Sequence, residues 1–262
     1  MLTDHRRALR FSLALLVAMV FMLIAVGRHP ELEAPKTTLA FVGNFDESMY
    51  HWMDDIRNVV LTGLFRFLNV AGGGMVTIPL RIIVTLLLLF TRRFRAMFAF
   101  ILTWAASEAL LTWFKIFFHR GRPPLPLVET SGFSFPSGHA VAGAAIAVAL
   151  VLVALPPGPR RLKWERGAMA FAFLMGFSRV YLNAHWFSDV VAGVLLGAGI
   201  AIGSAALVTQ IANLLEARKP ASKAEPPQDP LQLVRRRRRR ALRIAVLPPR
   251  CRGASLPSPS SP

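Results

Sequence analysis

Six runs of mostly apolar residues, each close to the length of a bilayer-spanning helix, limit what this chain can become. They cover residues 8–26, 74–90, 94–118, 138–155, 167–182 and 185–207. A hydrocarbon core about 30 Å thick takes about 20 apolar residues of α-helix, and within it every backbone N–H and C=O must find its partner inside the segment. The expected fold class is therefore an all-α integral membrane protein with about six transmembrane helices. Hydrophobic residues make up 54% of the chain and charged ones 17%, too apolar a balance for an ordinary soluble enzyme. The stretch 55–70 is shorter and carries Arg57, Arg66 and Asn69, so it is predicted to be an amphipathic helix at the membrane interface.

Charge orients the spans. The formal net charge of +17 would suggest nucleic acid in a polar chain, but 12 Lys and Arg against 2 acids lie from residue 217 onward. The other basic clusters fall at 6–10, 92–95 and 160–166, all on one side if the amino terminus is cytoplasmic, as the positive-inside rule expects. The loops 28–55, 119–137 and 183–184 then lie outside. Two domains are expected: 1–216, the membrane domain, and 217–262, a disordered cytoplasmic tail rich in Pro, Arg and Ser, drawn to anionic lipid rather than to nucleic acid. The first run is read as an uncleaved signal anchor, with cleavage after the small residues around Gly27 as the alternative. Cys251 is the single cysteine, which excludes an intramolecular disulfide and a Cys-based metal site.

Three polar clusters interrupt the apolar chain, and in this topology all three meet the outer face. Lys115 is followed after six residues by Arg122-Pro123, at the end of the third span. Pro136-Ser137-Gly138-His139 opens the fourth. Ser178-Arg179, five residues, His185, three residues and Asp189 join the fifth to the sixth. Singly, each has an ordinary explanation: snorkelling cations, a helix N-cap at Ser137, a His–Asp pair sharing a helix face. Together they supply what phosphate-ester chemistry needs. Lys115, Arg122 and Arg179 can neutralise a phosphate, and the helix start at Ser137 and Gly138 offers free N–H groups with close approach. A neutral His185 can act as nucleophile with Asp189 setting its tautomer, and His139 can protonate the leaving oxygen and later take a proton from water. His51 and His119 have no such partners and are taken as surface residues.

These three motifs, in this order and spacing, resemble those of the type 2 phosphatidic acid phosphatase (PAP2) superfamily, over roughly residues 39–207. The resemblance implies a six-helix lipid-phosphatase core, a phosphohistidine intermediate and no metal or other cofactor. It makes His185 the nucleophile, Asp189 its orienting partner and His139 the acid, with Lys115, Arg122, Ser137, Gly138 and Arg179 as phosphate ligands. One departure is Arg122-Pro123-Pro124, where many relatives have Arg-Pro-Arg-Pro; Arg120 is expected to supply the extra charge. The function this implies is a membrane phosphohydrolase acting on a lipid phosphomonoester or diphosphate at the extracytoplasmic face, with polyprenyl diphosphate or phosphatidate favoured. A phosphotransferase using the same histidine is the alternative. The related vanadate-dependent haloperoxidases are soluble, which the spans argue against, and a non-catalytic lipid-binding protein would not need the complete set.

Two features concern packing. Gly143 and Ala147 in the fourth span, and Gly193 and Gly197 in the sixth, form small-xxx-small patterns that permit close helix contact. Arg81 and Glu108 are charges inside the second and third spans. They are expected either to pair between helices, below Lys115, or to be accommodated singly, Arg81 by snorkelling and Glu108 by protonation or a watery cavity.

Overall fold

The computed structural model describes residues 5–27 and 39–218, and among these it contains eight α-helices and no strand. They are α1 (His5–Val26), α2 (Ala40–Asp55), α3 (Val59–Gly72), α4 (Gly74–Phe90), α5 (Phe94–Phe118), α6 (Gly138–Ala154), α7 (Pro159–Tyr181) and α8 (Phe187–Ala217). The chain divides into a unit from Met1 to Leu215 and a second from Glu216 to Pro262. The expectations for the basic tail and Cys251, and for residues 28–38, lie outside the described residues.

The all-helical expectation holds, but the count of six spans is not reproduced. Three helices are by themselves long and apolar enough to cross a membrane: α1 from Arg6, α5 and α8. A fourth span arises only if α3 and α4, bent by 45° at Gly73, are taken together. The apolar helix α6 has 17 residues, and α7 opens with Arg160, Arg161, Lys163, Glu165 and Arg166 before its apolar stretch. Residues 55–70 are not a lone helix either. They fall mostly in α3, whose Phe65 is buried against Tyr181 and Phe177 of α7. Part of the expected outer loop is the helix α2, which buries Gly43, Asp46 and Met53.

Small residues let the helices close. A Cβ on Gly197 would lie 2.3 Å from the Val141 carbonyl oxygen, and one on Gly193 2.8 Å from that of Ser137. Backbone cannot yield at such distances, so these glycines are what allow α8 to lie directly on α6. The small-xxx-small pattern of α8 thus joins it to the helix that begins beside His139, whereas Gly143 of α6 faces Met175 and Ala172 of α7 instead. At α1, the Ser12 hydroxyl donates to the Gly199 carbonyl at 2.8 Å, and Met19, Ala25 and Val26 are buried, so the first run is packed into the bundle. Arg81 and Glu108 pair, with Arg81 buried and lying over the Trp104 ring at 5.4 Å. Arg93 donates to the Val153 carbonyl, which joins the basic α4–α5 turn to the far end of α6.

Candidate active site

His185 lies in the loop between α7 and α8, outside both helices. The turn that carries it depends on Asn183, which takes φ 53°, a left-handed conformation that Asn tolerates well. This sends the N–H groups of Ala184 and His185 back to the Arg179 carbonyl, at 2.9 and 3.3 Å. The ring meets Arg122 on one side and, at longer range, Asp189 on the other. Arg122 Nη1 lies 3.2 Å from Nε2, and a guanidinium can only donate. Nε2 is therefore the lone-pair nitrogen, and the neutral ring carries its proton on Nδ1, which faces Asp189 Oδ2 at 3.5 Å. Burial pushes the imidazolium of His185 down to about 3, although Asp189 pulls the other way, so the ring is neutral at physiological pH.

Asp189 is fully buried in the first turn of α8. Its Oδ2 accepts from the Trp186 N–H at 2.9 Å, as a carboxylate at N3 does for the N-cap residue, and from the Ser134 hydroxyl. Its Oδ1 accepts from Arg120 Nη1, whose Nη2 reaches Asp46 Oδ2 at 2.7 Å. Asp46 also accepts from the Ser188 N–H at 2.9 Å and the Ser188 hydroxyl at 2.6 Å. Burial alone would push Arg120 down, but Asp189 and Asp46 reverse this and hold it above its ordinary value, firmly charged. The result is a buried chain of alternating charge, Asp46, Arg120, Asp189, ending at the Nδ1 side of His185. Arg120 therefore does not supply an extra phosphate contact: two buried carboxylates already neutralise its charge, whereas the partners of Arg122 are neutral carbonyls and His185.

The remaining cations are gathered by the loop 119–137. Arg122 is clasped by the carbonyls of Ser131, Gly132 and Ala184, at 2.7, 2.9 and 2.6 Å. The Phe133 carbonyl accepts from both Lys115 Nζ, at 2.7 Å, and Arg122 Nη2, at 3.2 Å, so it holds the two cations together. Burial pushes Arg122 below its usual value, with Asp189 opposing. Ser137 is the N-cap of α6, yet its side chain caps nothing; its N–H donates to the Asp189 carbonyl at 3.1 Å, and its hydroxyl is buried without a partner. Gly138 is the first residue of that helix.

Arg179, in the last turn of α7, is the most unusual group. It is 4% exposed, and its Nε and Nη1 have no hydrogen-bond partner. A buried cation with idle donors is costly unless an anion meets it. Two orphan guanidinium nitrogens, the orphan Ser137 hydroxyl and the cations Lys115 and Arg122 have the chemistry of a phosphate site.

His139 Nε2 lies 3.0 Å from the Asn69 carbonyl, which can only accept. Nε2 thus carries a proton, and Nδ1 is left as the nitrogen to exchange one. The partner comes from α3, which approaches closely because Gly72 has no side chain: a Cβ there would lie 2.8 Å from the His139 ring. Among the described residues no group of three or more His, Cys, Asp or Glu is disposed to hold a metal ion. His51 is exposed, whereas His119 is half-buried with its ring 4.3 Å from that of Phe133. Sequence reasoning missed Asp46, Ser134, Ser188 and Asn69. Ser134 and Ser188 adjoin the motifs, but Asp46 and Asn69 come from helices distant in sequence and carry no spacing signal.

A bundle of apolar helices with a neutral histidine beside a cluster of cations has the make-up of a membrane protein that handles phosphate. Comparison with known proteins supplies the family. The PAP2 superfamily profile matches residues 94–212. Phosphatidylglycerophosphatase B of Bacillus subtilis is 31% identical over 145 residues, 53% of this chain and 70% of the relative. Undecaprenyl-diphosphatase of Sulfolobus acidocaldarius is 30% identical over 185 residues, 66% of this chain and 85% of the relative. The crystal structure of the transmembrane PAP2 type phosphatidylglycerolphosphate phosphatase from Bacillus subtilis matches with a TM-score of 0.64 at 25% identity, covering 78% of this chain and 96% of that one. The chain belongs to the PAP2 superfamily.

Proposed function

We propose that this protein is a metal-independent lipid phosphate phosphohydrolase that removes phosphate from a lipid phosphomonoester or diphosphate, of polyprenyl diphosphate or phosphatidate type, through a phosphohistidine on His185. The observation that carries the reading is Arg179, a buried guanidinium with unpartnered donors beside a neutral histidine whose lone-pair nitrogen faces Arg122. The relatives named for phosphatidylglycerophosphate and undecaprenyl diphosphate support a lipid substrate.

The substrate phosphate draws Arg122 away from His185 Nε2 and takes up the donors of Arg179, Lys115 and the Ser137–Gly138 turn. Nε2 then attacks phosphorus, forming a P–N bond as the P–O bond to the leaving group breaks. The proton on Nδ1 stays there, and Asp189 stabilises the cationic ring. His139 enters as imidazolium, its Nε2–H held by the Asn69 carbonyl, and gives its Nδ1 proton to the leaving oxygen. In the second step Nδ1 takes a proton from water as the water oxygen attacks phosphorus, the P–N bond breaks, and inorganic phosphate departs. The bound anion makes the imidazolium of His139 stable in a site otherwise rich in cations.

The site is read as extracytoplasmic, with both termini cytoplasmic, because the basic clusters at 92–95 and 160–166 belong to the opposite end of the helices. Phosphate release by the purified full chain, from phosphatidate, phosphatidylglycerophosphate and polyprenyl diphosphate in turn, tests the reading and selects the lipid. No release from any of them without an added acceptor, but transfer to an added lipid or sugar hydroxyl, would replace hydrolysis by phosphotransfer.

A further inference from the structure

Asp46 lies on α2, far in sequence from every motif residue, yet it is 1% exposed and its carboxylate meets only donors. Oδ1 accepts from the Ser188 N–H, and Oδ2 from Arg120 Nη2 and the Ser188 hydroxyl. The Ser188 oxygen already accepts from Arg120 Nη1 at 2.7 Å, so its own proton is the one directed at Asp46. Burial pushes the Asp46 carboxyl up, and Arg120 pulls it down. The hydrogen bonding is that of an anion, since a proton on either oxygen would point at a donor.

Asp46 and Asp189 are therefore negative and Arg120 between them is positive, which leaves the buried chain one net negative charge. That chain ends at Asp189 Oδ2, 3.5 Å from Nδ1 of His185. When Nε2 attacks phosphorus, the P–N bond forms as the P–O bond breaks and the Nδ1 proton stays, so a neutral ring becomes a cation. Hydrolysis reverses this: the water oxygen bonds to phosphorus, the P–N bond breaks, and the ring departs neutral. Negative charge beside Nδ1 therefore speeds the first step and slows the second. Arg120 alone would offset the charge of Asp189. Asp46 restores it.

We propose that Asp46 is a positioning residue that neutralises Arg120, so that Arg120 can anchor Asp189 without cancelling the negative charge that the phosphohistidine needs. The proposal rests on the phosphohydrolase reading and gives a role to a residue outside the three motifs.

Asp46→Asn removes the charge and keeps the shape. The full chain in detergent is mixed with phosphatidate, phosphatidylglycerophosphate or polyprenyl diphosphate, whichever it hydrolyses, labelled in the phosphate, and quenched in alkali to preserve the P–N bond. The phosphohistidine equilibrium should shift about tenfold, the effect of a unit charge roughly 10 Å away at an effective dielectric near 20. The shift should divide into slower phosphorylation and faster hydrolysis of the phosphoenzyme, with KM little changed. A lost packing contact would slow both steps together, and that result, or two unchanged rates, would overturn the proposal. Asp46→Glu keeps the charge while moving the contacts, and the ratio of its two rates should stay near wild type; a ratio shifted as far as in Asp46→Asn would also overturn it. If the asparagine variant does not fold, Asp46→Ser removes the same charge and leaves room for a water beside Arg120.

A second measurement needs no turnover. Orthovanadate, which takes the five-coordinate geometry of phosphorus in transfer, should bind Asp46→Asn about tenfold more weakly than wild type, whereas inorganic phosphate should bind no more weakly. Equal losses for the two anions would overturn the proposal. If the anions separate in this way while wild type forms no phosphoenzyme from any of the three lipids, the lipid phosphohydrolase reading fails and the charge balance at His185 stands.

Discussion

Replacing Arg120 by Met tests whether the buried charge chain supports the fold and the nucleophile. Met preserves much of the apolar volume but removes donors to Ser188 Oγ, Asp189 and Asp46, all buried. Charge-assisted hydrogen bonds contribute about 1.5–3 kcal/mol each, and breaking a buried ion pair by deleting one partner costs about 3–5 kcal/mol, because the other charge is left uncompensated. Here two carboxylates would be stranded, Asp46 and Asp189, both nearly inaccessible to water. The expected loss is about 4 kcal/mol, a large part of the roughly 5–15 kcal/mol that holds a typical domain together. Thermal unfolding of the full chain in detergent should show a midpoint lower by about 10 °C. Asp46→Asn should cost less, since Arg120 keeps Asp189, and adding it to Arg120→Met should cost less than the sum of the two, as expected for groups in one network. An Arg120→Met midpoint within about 1 °C of wild type, or strictly additive effects, would refute the reasoning.

His185→Ala and His139→Ala should each abolish phosphate release while leaving the unfolding transition in place, and substantial turnover by the His185 variant would remove the phosphohistidine from the mechanism. Arg81→Ala and Glu108→Ala should each destabilise the protein, and together should cost much less than their sum in a double-mutant cycle, because the two side chains pair. Holding His185 neutral should make stability acid-sensitive: its pKa falls from 6.5 to about 3 on folding, so the contribution is complete above about 6.5 and fades as pH drops toward 3. A pH titration of unfolding in which His185→Gln leaves that slope unchanged would contradict this. Activity should survive excess EDTA, since three cations stand where a divalent ion would otherwise balance the phosphate; loss in chelator restored by one specific metal would reverse that view.

The helical class, the motif residues and the close contact made by Gly193 and Gly197 were legible in the sequence because each is local: apolar run length, fixed spacings and glycine periodicity survive without knowledge of the fold. The partner of Gly143, Met175 of α7, was not legible there. The pairing of Arg81 with Glu108 was foreshadowed by charge and depth, but choosing it over two separately accommodated ions required seeing the helices side by side. Other features had no linear signature. The helix pair α3–α4, bent by 45° at Gly73, reads in sequence as an interfacial helix followed by a separate span, since hydropathy carries no information about a bend. Arg120, two residues before Arg122, looks like another phosphate ligand until Asp46, 74 residues earlier, takes one side of its guanidinium. The tautomers of His185 and His139 follow from Arg122 and from the Asn69 carbonyl, a backbone group that exists at every position and distinguishes none. Sequence determined which chemical groups this protein possesses and that they belong in a membrane, because solvation and helix geometry act on neighbouring residues. Only the tertiary structure decided which donor meets which acceptor, because hydrogen bonds and buried ion pairs depend on ångström-scale distances between segments that the chain order does not encode.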